Sequence, residues 1–206
     1  MNPTTRLFLL RHGEVEERYH GIFGGRIDMN LSPRGHEQAH ALAHYLRGHR
    51  FDAIYVSPMK RAQQTLAPMA HLGARPPVTR DALREVDFGV WTGLAWQDVW
   101  KNHEVNPADW LGQLERGEIP EGESGPALRE RIGPCVREIL AAHEGQSIAM
   151  VCHGGVIRVT LGLLLNLPLA PLGGVEIEYA SLTRVDIHPH RTGLHLLNFT
   201  PWRDLS

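Results

Sequence analysis

The sequence predicts an α/β protein with a single domain, whose mostly parallel sheet is covered by helices on both faces. Short apolar runs that suit buried strands alternate along the chain with longer segments in which apolar residues recur at helical spacing. Connections that alternate in this way join neighbouring parallel strands through helices. No internal repeat, linker or low-complexity tract interrupts residues 1–206, so we expect this domain to span the whole chain.

The first strand and helix carry clear local signals. Residues 6–10 form a short apolar run, which predicts a buried strand that leads into a loop beginning at Arg11. Ser32 followed by Pro33 is typical of a helix N-cap and the first helical residue. The apolar residues that follow share one face, so we expect a helix of about four turns.

The next elements repeat this order. Residues 53–56 predict a second strand, and the serine-proline pair Ser57-Pro58 predicts a helix that begins there and continues through Ala70. Residues 83–122 contain all but one of the five tryptophans and no strong alternation of apolar and polar residues. For this part of the chain we expect short helices and a lid-like loop.

The sequence of the last part of the chain predicts five further elements. Apolar residues at helical spacing indicate a long amphipathic helix over residues 124–143. Residues 147–152 form a β-rich apolar strand of the kind that is buried on both faces, and residues 154–165 resume a helix. Two closing strands are predicted over residues 177–187 and 194–199.

Composition limits the classes of partner. The formal net charge of −2 and the pI near 6.7 provide no global basic field, so neither nucleic acid nor a membrane surface is expected as a partner. The longest apolar stretch, residues 161–170, is about half of what a membrane span needs. No export signal is visible, and Cys135 and Cys152 suit free thiols. We therefore expect a cytoplasmic protein, with homodimer formation left open.

Two histidines follow predicted strands that are distant in sequence. Because ligands collect at the carboxyl ends of parallel strands, we expect His12 and His153 to converge there. Arg11 and Arg61 can each offer a planar fork of donors to phosphate oxygens. A neutral His12 can then attack the phosphorus atom in line, with His153 as a cationic or hydrogen-bonding partner of the same oxygens. This pattern predicts a phosphate pocket.

A leaving alkoxide needs a proton, and Glu85 is the candidate donor. Burial beside Phe88 and Trp91 would raise the pKa of its carboxyl group toward the working range of a general acid. Glu14 is a weaker second candidate. Taken singly, each of these residues has an ordinary interpretation as a turn, surface or helix residue. Their joint occurrence at the ends of successive elements favours catalysis.

Ordered motifs over nearly the whole chain carry a family resemblance. They are Leu10-Arg11-His12-Gly13-Glu14, Phe23-x-Gly25-x-x-Asp28-x-x-Leu31-Ser32-x-x-Gly35, Ser57-Pro58-x-x-Arg61-Ala62-x-Gln64-Thr65, Leu83-x-Glu85-x-x-Phe88-Gly89-x-Trp91-x-Gly93, Gly122-Glu123-Ser124 and Val151-x-His153-Gly154-Gly155. In these motifs the chain resembles the histidine phosphatase superfamily, also called phosphoglycerate mutase-like. In appearance it is closest to the branch of α-ribazole and other small-metabolite phosphatases.

The resemblance implies a role for each matched residue. His12 would be the phosphorylated nucleophile, Glu85 the proton donor, and the substrate a small phosphorylated metabolite, with no metal and no cofactor. The catalytic set is then His12, Glu85, Arg11, Arg61 and His153. The predicted substrate-binding set is Arg11, Arg18, Gly24, Gly25, Arg61, His153 and Gly154.

Three positions depart from the family pattern. The family commonly has Asn where this chain has Arg18, and Arg and Gln where it has Ile22 and Gly24. Arg18 could contact the phosphate or a second anionic group of the substrate. The alternative for Arg18 is an exposed charge in a loop.

The sequence also contains features that fit other functions. His36-Glu37-Gln38-Ala39-His40 fits the His-Glu-x-x-His pattern of zinc peptidases, with His44 on the same helix. These histidines lie on the flank of the predicted apolar face, which favours plain surface residues. A binding protein that has kept the fold and lost the chemistry is a second alternative, and the intact catalytic set argues against it.

A phosphoglycerate mutase is the third alternative, since it would share the site. The family's mutases resemble one another in a longer insertion between the acid and the second histidine, which carries an Arg-Arg pair. Here the arginines of that segment are scattered, at Arg116, Arg129, Arg131 and Arg137. A short segment would leave a phosphohistidine open to water, so the sequence predicts net hydrolysis.

Overall fold

The computed structural model describes residues 4–103 and 106–205 of the chain, without the side chains of residues 103 and 107. Six strands form one sheet: β1 Thr5–Arg11, β2 Ala53–Val56, β3 Val78–Thr79, β4 Ser147–Cys152, β5 Leu182–His188 and β6 Arg191–Phe199. The α-helices are α1 Pro33–Leu46, α2 Lys60–Leu66, α3 Trp96–His103, α4 Trp110–Arg116, α5 Gly125–Ala142, α6 Gly154–Leu165 and α7 Pro201–Asp204.

The strand order is β3-β2-β4-β1-β5-β6. Strands β3, β2, β4 and β1 pair in parallel, whereas β5 and β6 continue the sheet antiparallel from β1. Strands β1 and β4 are therefore neighbours at the centre, with Arg11 opposite Cys152 at their carboxyl ends. This arrangement confirms the predicted α/β class with a mostly parallel sheet.

Both faces of the central strands are buried. Leu7 and Leu9 of β1 pack in one apolar cluster with α5 and α6, while Phe8 and Leu10 pack in a second cluster with α1 and α2. Successive side chains of a strand point to opposite faces, so a strand covered on both sides needs a continuous apolar run. The prediction of helices on both faces is confirmed, and the apolar run is its physical cause.

Helix N-caps explain the helix starts that were predicted correctly. The Ser32 hydroxyl accepts a hydrogen bond from the Gly35 backbone N–H at 2.9 Å, and the Ser124 hydroxyl accepts one from Ala127 N–H at 3.3 Å. Each of these serines is followed closely by a proline inside the first turn, which needs no N–H there. The starts of α1 and α5 are therefore encoded locally.

The predicted helix from Ser57-Pro58 through Ala70 is wrong at both ends. Helix α2 begins at Lys60, because the Ser57 hydroxyl is engaged by a distant side chain instead of capping the helix. It ends at Leu66, where the chain tightens into the 3₁₀ helix Ala67–Leu72. Pro68 lacks the backbone N–H that a continued α-helix would use.

Three strand boundaries also differ from the prediction. Arg11 is the last residue of β1 and not the start of a loop, β5 begins at Leu182 instead of residue 177, and β6 begins at Arg191 instead of residue 194. A turn with Ala180 at a φ of 50° separates residues 177–179 from the strand. Strand β3 was missed, since its two residues follow a proline pair and pair only with the end of β2.

The segment over residues 83–122 contains the short helices expected for it. They are α3, α4 and the 3₁₀ helices Gly89–Trp91 and Pro107–Asp109. In the part of the chain that the structure describes, no helix has the length and apolar character needed to cross a membrane.

Candidate active site

His12, His153 and Arg61 meet at the carboxyl edge of the sheet. His12 follows β1, and His153 follows β4 as the residue before α6. Because β1 and β4 are adjacent and parallel, the two imidazole rings lie with their centroids 5.2 Å apart. Arg61 reaches them from α2, and its Nε lies 3.2 Å from His12 Nε2 and 3.2 Å from His153 Nδ1.

The hydrogen bonds of His12 define its tautomer. Its Nδ1 lies 2.8 Å from the Gly13 carbonyl oxygen, which can only accept, so Nδ1 carries the proton. Nε2 faces the Arg61 Nε–H, which can only donate, so Nε2 holds a lone pair. Burial and, after it, the positive charges of Arg61 and Arg11 lower the pKa of His12 well below its usual value. His12 is therefore a neutral ring with Nε2 available as a nucleophile.

His153 is fully buried and neutral as well. Burial and then the charge of Arg61 lower its pKa well below the usual value. Its Nδ1 accepts from Arg61, and its Nε2 lies 2.7 Å from the Ser57 hydroxyl oxygen. In this state Nδ1 of His153 accepts from Arg61, and the role of the ring toward phosphate oxygens, as a cationic or a hydrogen-bonding partner, stays a prediction.

Arg61 is held rigidly by backbone carbonyls. Its two terminal nitrogens donate to Ile27 O at 2.7 Å and to Gly25 O at 2.8 Å. Burial lowers the pKa of Arg61 to about 10, so it remains cationic near neutral pH. Gly25 has a φ of 44°, and a Cβ there would lie 3.1 Å from the Val86 carbonyl oxygen. The positive φ and the close Val86 carbonyl therefore favour glycine at position 25, whose own carbonyl binds Arg61.

Arg11 lies on the other side of His12. One terminal nitrogen donates to the Ile177 carbonyl, and the guanidinium carbon lies 4.1 Å above the centre of the Tyr179 ring. Its Nε is buried with no hydrogen-bond partner among the described residues. A buried donor without a partner suits a site that binds an oxyanion. Tyr179 also lies against His12, with ring centroids 5.6 Å apart.

The Glu85 side chain, from the segment after the 3₁₀ helix Asp81–Leu83, contacts the first turn of α6. Its two carboxylate oxygens accept from Val86 N–H at 3.0 Å and from Gly155 N–H at 3.3 Å. A Cβ at Gly155 would come within 2.4 Å of the Glu85 carboxylate, which explains the glycine. Glu14, the second candidate acid, instead accepts from the Ser32 hydroxyl at 2.7 Å at the start of α1. The two carboxylates therefore have different environments.

Three residues in contact with the site were not predicted for it. Thr65 accepts from Gly13 N–H at 2.9 Å and donates to Arg61 O at 2.7 Å, which links the loop after β1 to α2. Ser57 binds His153, and Tyr179 covers Arg11 and His12. Ser57 and Thr65 stand in the matched motif around Arg61 and could have been found there. Tyr179 carries no local signal.

The remaining predicted residues have other surroundings. The contacts described for Arg18 are with the Glu16 carboxylate at 3.1 Å and the Tyr19 ring, and its side chain is 67% exposed. Its role in substrate binding stays a prediction. Gly24 packs against Met29, where a Cβ would lie 2.6 Å from the methionine methyl group. Gly154 begins α6 beside Arg11.

The zinc-peptidase alternative finds no support on α1. His36, His40 and His44 are exposed. Over residues 4–103 and 106–205, no three His, Cys, Asp or Glu side chains are grouped closely enough to hold a metal ion.

The fold and this cluster define a class of protein: an α/β enzyme in which two neutral histidines and two arginines face one small site suited to a phosphate group. The family model of the histidine phosphatase superfamily (branch 1) matches residues 7–200. The chain belongs to this family, and it is a phosphatase.

Its relatives differ in their named substrates. Phosphoserine phosphatase 1 of Hydrogenobacter thermophilus is 28% identical over 195 residues, which cover 95% of this chain and 92% of the relative. A probable phosphoglycerate mutase of Yersinia enterocolitica is 30% identical over 181 residues, 88% of this chain and 84% of the relative. The crystal structure of the alpha-ribazole phosphatase from Shigella flexneri has a TM-score of 0.81 at 26% identity and covers 95% of this chain and 96% of its own.

Proposed function

We propose that this phosphatase hydrolyses phosphomonoesters of small metabolites through a phosphohistidine on Nε2 of His12. The observation that carries the proposal is the lone pair on His12 Nε2, fixed by the Gly13 carbonyl on the opposite side of the ring. This nitrogen faces the space where Arg61 and His153 would hold the phosphate oxygens. A neutral imidazole beside clamped phosphate is suited to nucleophilic attack.

In the first step the lone pair of His12 Nε2 attacks the phosphorus atom, and the P–N bond forms as the ester P–O bond breaks. Arg11 and Arg61 bind the non-bridging oxygens, whose charge must be stabilised during transfer. A phosphate dianion beside His153 favours uptake of a proton from solution at Nδ1, and the ring can then donate to these oxygens as well. The leaving oxygen takes a proton from the carboxyl group of Glu85. The product alcohol then departs, and phosphorylated His12 and the Glu85 carboxylate remain.

In the second step water attacks the same phosphorus atom. The Glu85 carboxylate accepts a proton from the water as the new P–O bond forms and the P–N bond breaks. Inorganic phosphate leaves, and His12 returns to its neutral state. Glu85 thus acts first as an acid and then as a base, so it ends each turnover protonated.

Labelled substrate tests the nucleophile. After rapid mixing with a ³²P-phosphomonoester and a quench that avoids acid, we expect label on His12. The variant His12→Ala should lose both the label and nearly all turnover, since no other described group occupies the position of Nε2. Turnover well above the uncatalysed rate in His12→Ala would assign the nucleophile elsewhere.

The leaving group tests the acid. Glu85→Gln should slow transfer from alkyl phosphates by roughly 10²- to 10⁴-fold, the usual effect of removing a general acid. Transfer from p-nitrophenyl phosphate should suffer far less, because nitrophenolate leaves without a proton. The measurement is the single-turnover rate of phosphorylation for both substrates. An equal loss on both would instead indicate that Glu85 supports folding or substrate binding.

The proposed substrate is a small organic phosphomonoester, because relatives are named phosphoserine phosphatase and alpha-ribazole phosphatase. Phosphoserine, α-ribazole phosphate, phosphoglycerates and sugar phosphates form the panel to be compared by kcat/KM. A clear preference of about ten-fold or more for one member would name the substrate. Comparable low activity on all of them would argue against a small metabolite.

A further inference from the structure

Arg131 of α5 lies behind the segment that carries Glu85. Its Nε and one terminal nitrogen donate to the two carboxylate oxygens of Glu123 at 2.7 and 2.8 Å. The other terminal nitrogen donates to the carbonyls of Ala82 at 2.7 Å and Arg84 at 2.9 Å. One guanidinium group therefore binds both the Glu123 carboxylate and the backbone immediately before Glu85.

Glu123 binds the backbone on the carboxyl-terminal side of Glu85, at Asp87. Its backbone N–H donates to the Asp87 carbonyl at 2.9 Å, and its carboxylate lies 3.4 Å from Asp87 N–H. The side chains of Glu123 and Arg131 are only 10% and 19% exposed. A two-pronged contact shielded from water holds its two side chains in a more fixed geometry than a single contact between exposed charges.

The Glu123 carboxylate also reaches the segment that holds the phosphate-binding arginine. Arg26 lies 3.8 Å from Glu123 and 3.3 Å from the Asp87 carboxylate. The two residues that flank Arg26 supply the carbonyls that bind Arg61. This contact is long and Arg26 is 41% exposed, so it is weaker than the buried pair of Glu123 with Arg131, and the main link of Glu123 runs to the segment of Glu85.

We infer that Glu123 and Arg131 are positioning residues, which fix the backbone around Glu85 so that its carboxyl group meets the leaving oxygen. The inference rests on the proposed function, in which Glu85 is the proton donor. No hydrogen bond or ion pair described for Glu123 or Arg131 reaches the rings of His12 or His153, and the charge of Arg131 contributes only weakly to the lowered pKa of His153. Both residues therefore act through the backbone around Glu85, and Glu123→Gln and Arg131→Lys keep the charge of residue 131 unchanged. A donor displaced by about 1 Å can cost roughly 100-fold in rate.

The experiment compares Glu123→Gln and Arg131→Met with the wild-type enzyme on two substrates. Single-turnover phosphorylation by phosphoserine, an alkyl phosphate, should slow by about 10- to 100-fold. Phosphorylation by p-nitrophenyl phosphate, which needs no proton donor, should change by less than about three-fold. Arg131→Lys keeps the charge but has a single donor nitrogen, so its rate with phosphoserine should lie between those of Arg131→Met and the wild-type enzyme.

A matched control lies on the same helix. Arg129 of α5 pairs with the Glu115 carboxylate of α4, with a nitrogen–oxygen distance of 2.9 Å, and this pair has no described contact with Glu85. Glu115→Gln and Arg129→Met should leave both rates within about two-fold. Thermal unfolding of all variants shows whether each is folded at the assay temperature. If Arg131→Met is unfolded, Glu123→Gln and Arg131→Lys decide the result.

A double variant separates positioning from general destabilisation. If Glu123 acts through Glu85, then Glu123→Gln added to Glu85→Gln should slow the phosphoserine reaction no further. A purely structural role for Glu123 would make the two losses multiply, and that result would overturn the inference.

The two proposals fail in different ways. If Glu85→Gln alone slows both substrates equally, the proton-donor role in the proposed function is wrong. If Glu85→Gln is selective for phosphoserine but Glu123→Gln and Arg131→Met are not, the proton donor stands and the positioning role is wrong.

Discussion

His12 and His153 are held neutral by the same surroundings that suit them to phosphate chemistry. Burial removes the water that would stabilise an imidazolium ion, and Arg61 adds a positive charge 3.2 Å from each ring. The neutral state leaves His12 Nε2 with a lone pair, which nucleophilic attack requires. The same lowered pKa values reduce the stability of the folded protein in acid, because both rings bind protons in the unfolded chain but not in the folded protein.

This difference predicts the pH dependence of folding. Above about pH 6.5, the pKa of an unperturbed histidine, both rings are neutral in the folded and unfolded states and contribute nothing. Below it, the unfolded chain binds protons that the folded rings do not, so the free energy of unfolding falls as the pH falls, by up to about 1.4 kcal/mol per unit for each ring. His12→Asn should therefore lose less stability than the wild type between pH 7 and pH 5.

Urea unfolding at the two pH values checks this expectation. His40→Asn is the control, because His40 is exposed on α1. We expect the control to follow the wild type. If His12→Asn lost as much stability in acid as the wild type, the buried ring would not be held neutral.

At the scale of the element, two serine caps differ in what else they hold. Ser32 caps α1 and is 8% exposed, and its hydroxyl also donates to the Glu14 carboxylate at 2.7 Å. Ser124 caps α5 with a longer hydrogen bond of 3.3 Å in a more exposed position. A buried hydroxyl with two partners contributes more than an exposed one with a single partner.

Ser32→Ala should therefore lower the free energy of unfolding by about 1–2 kcal/mol, since it leaves one Glu14 oxygen and the Gly35 N–H without their partner. Ser124→Ala should cost about 0.5–1 kcal/mol. Equilibrium unfolding in urea measures both. The reverse order of the two costs would show that the contact with Glu14 contributes nothing to stability.

At the scale of the whole molecule, the segment between Glu85 and His153 would determine, in the proposed mechanism, whether a phosphohistidine meets water or a second substrate. Three of the arginines in this segment are engaged in ion pairs: Arg116 with Asp109 and Glu118, Arg129 with Glu115, and Arg131 with Glu123. Cations bound in this way are not placed to hold the second phosphate of a bisphosphorylated intermediate.

We accordingly expect net hydrolysis in preference to phosphoryl transfer between positions of one acid. With 3-phosphoglycerate and a trace of 2,3-bisphosphoglycerate, free phosphate should appear without accumulation of 2-phosphoglycerate. His12→Ala, assayed in parallel, should release no phosphate above the background. Rapid formation of 2-phosphoglycerate without free phosphate would identify a mutase. One relative carries the name of a probable phosphoglycerate mutase.

Local signals in the sequence determined most of the architecture. The strand Ser147–Cys152 and the helix Gly154–Leu165 have the predicted limits, because apolar composition, helical spacing and glycine at the junction act within a few residues of one another. The same holds for α1 and α5, whose serine caps bind their own first turn. The matched motifs also brought His12, Arg61 and His153 into one hypothesis before any contact was known.

The tertiary structure decided what depends on partners distant in sequence. The Ser57 hydroxyl has the local sequence of a helix cap, yet it binds His153, so α2 starts later. The apolar pattern predicts a strand at residues 177–179, but these residues lie outside β5. There the Ile177 carbonyl and the Tyr179 ring contact Arg11. The tautomer of His12 and the neutral state of both rings require burial and the charge of Arg61, which arise only when distant elements pack together.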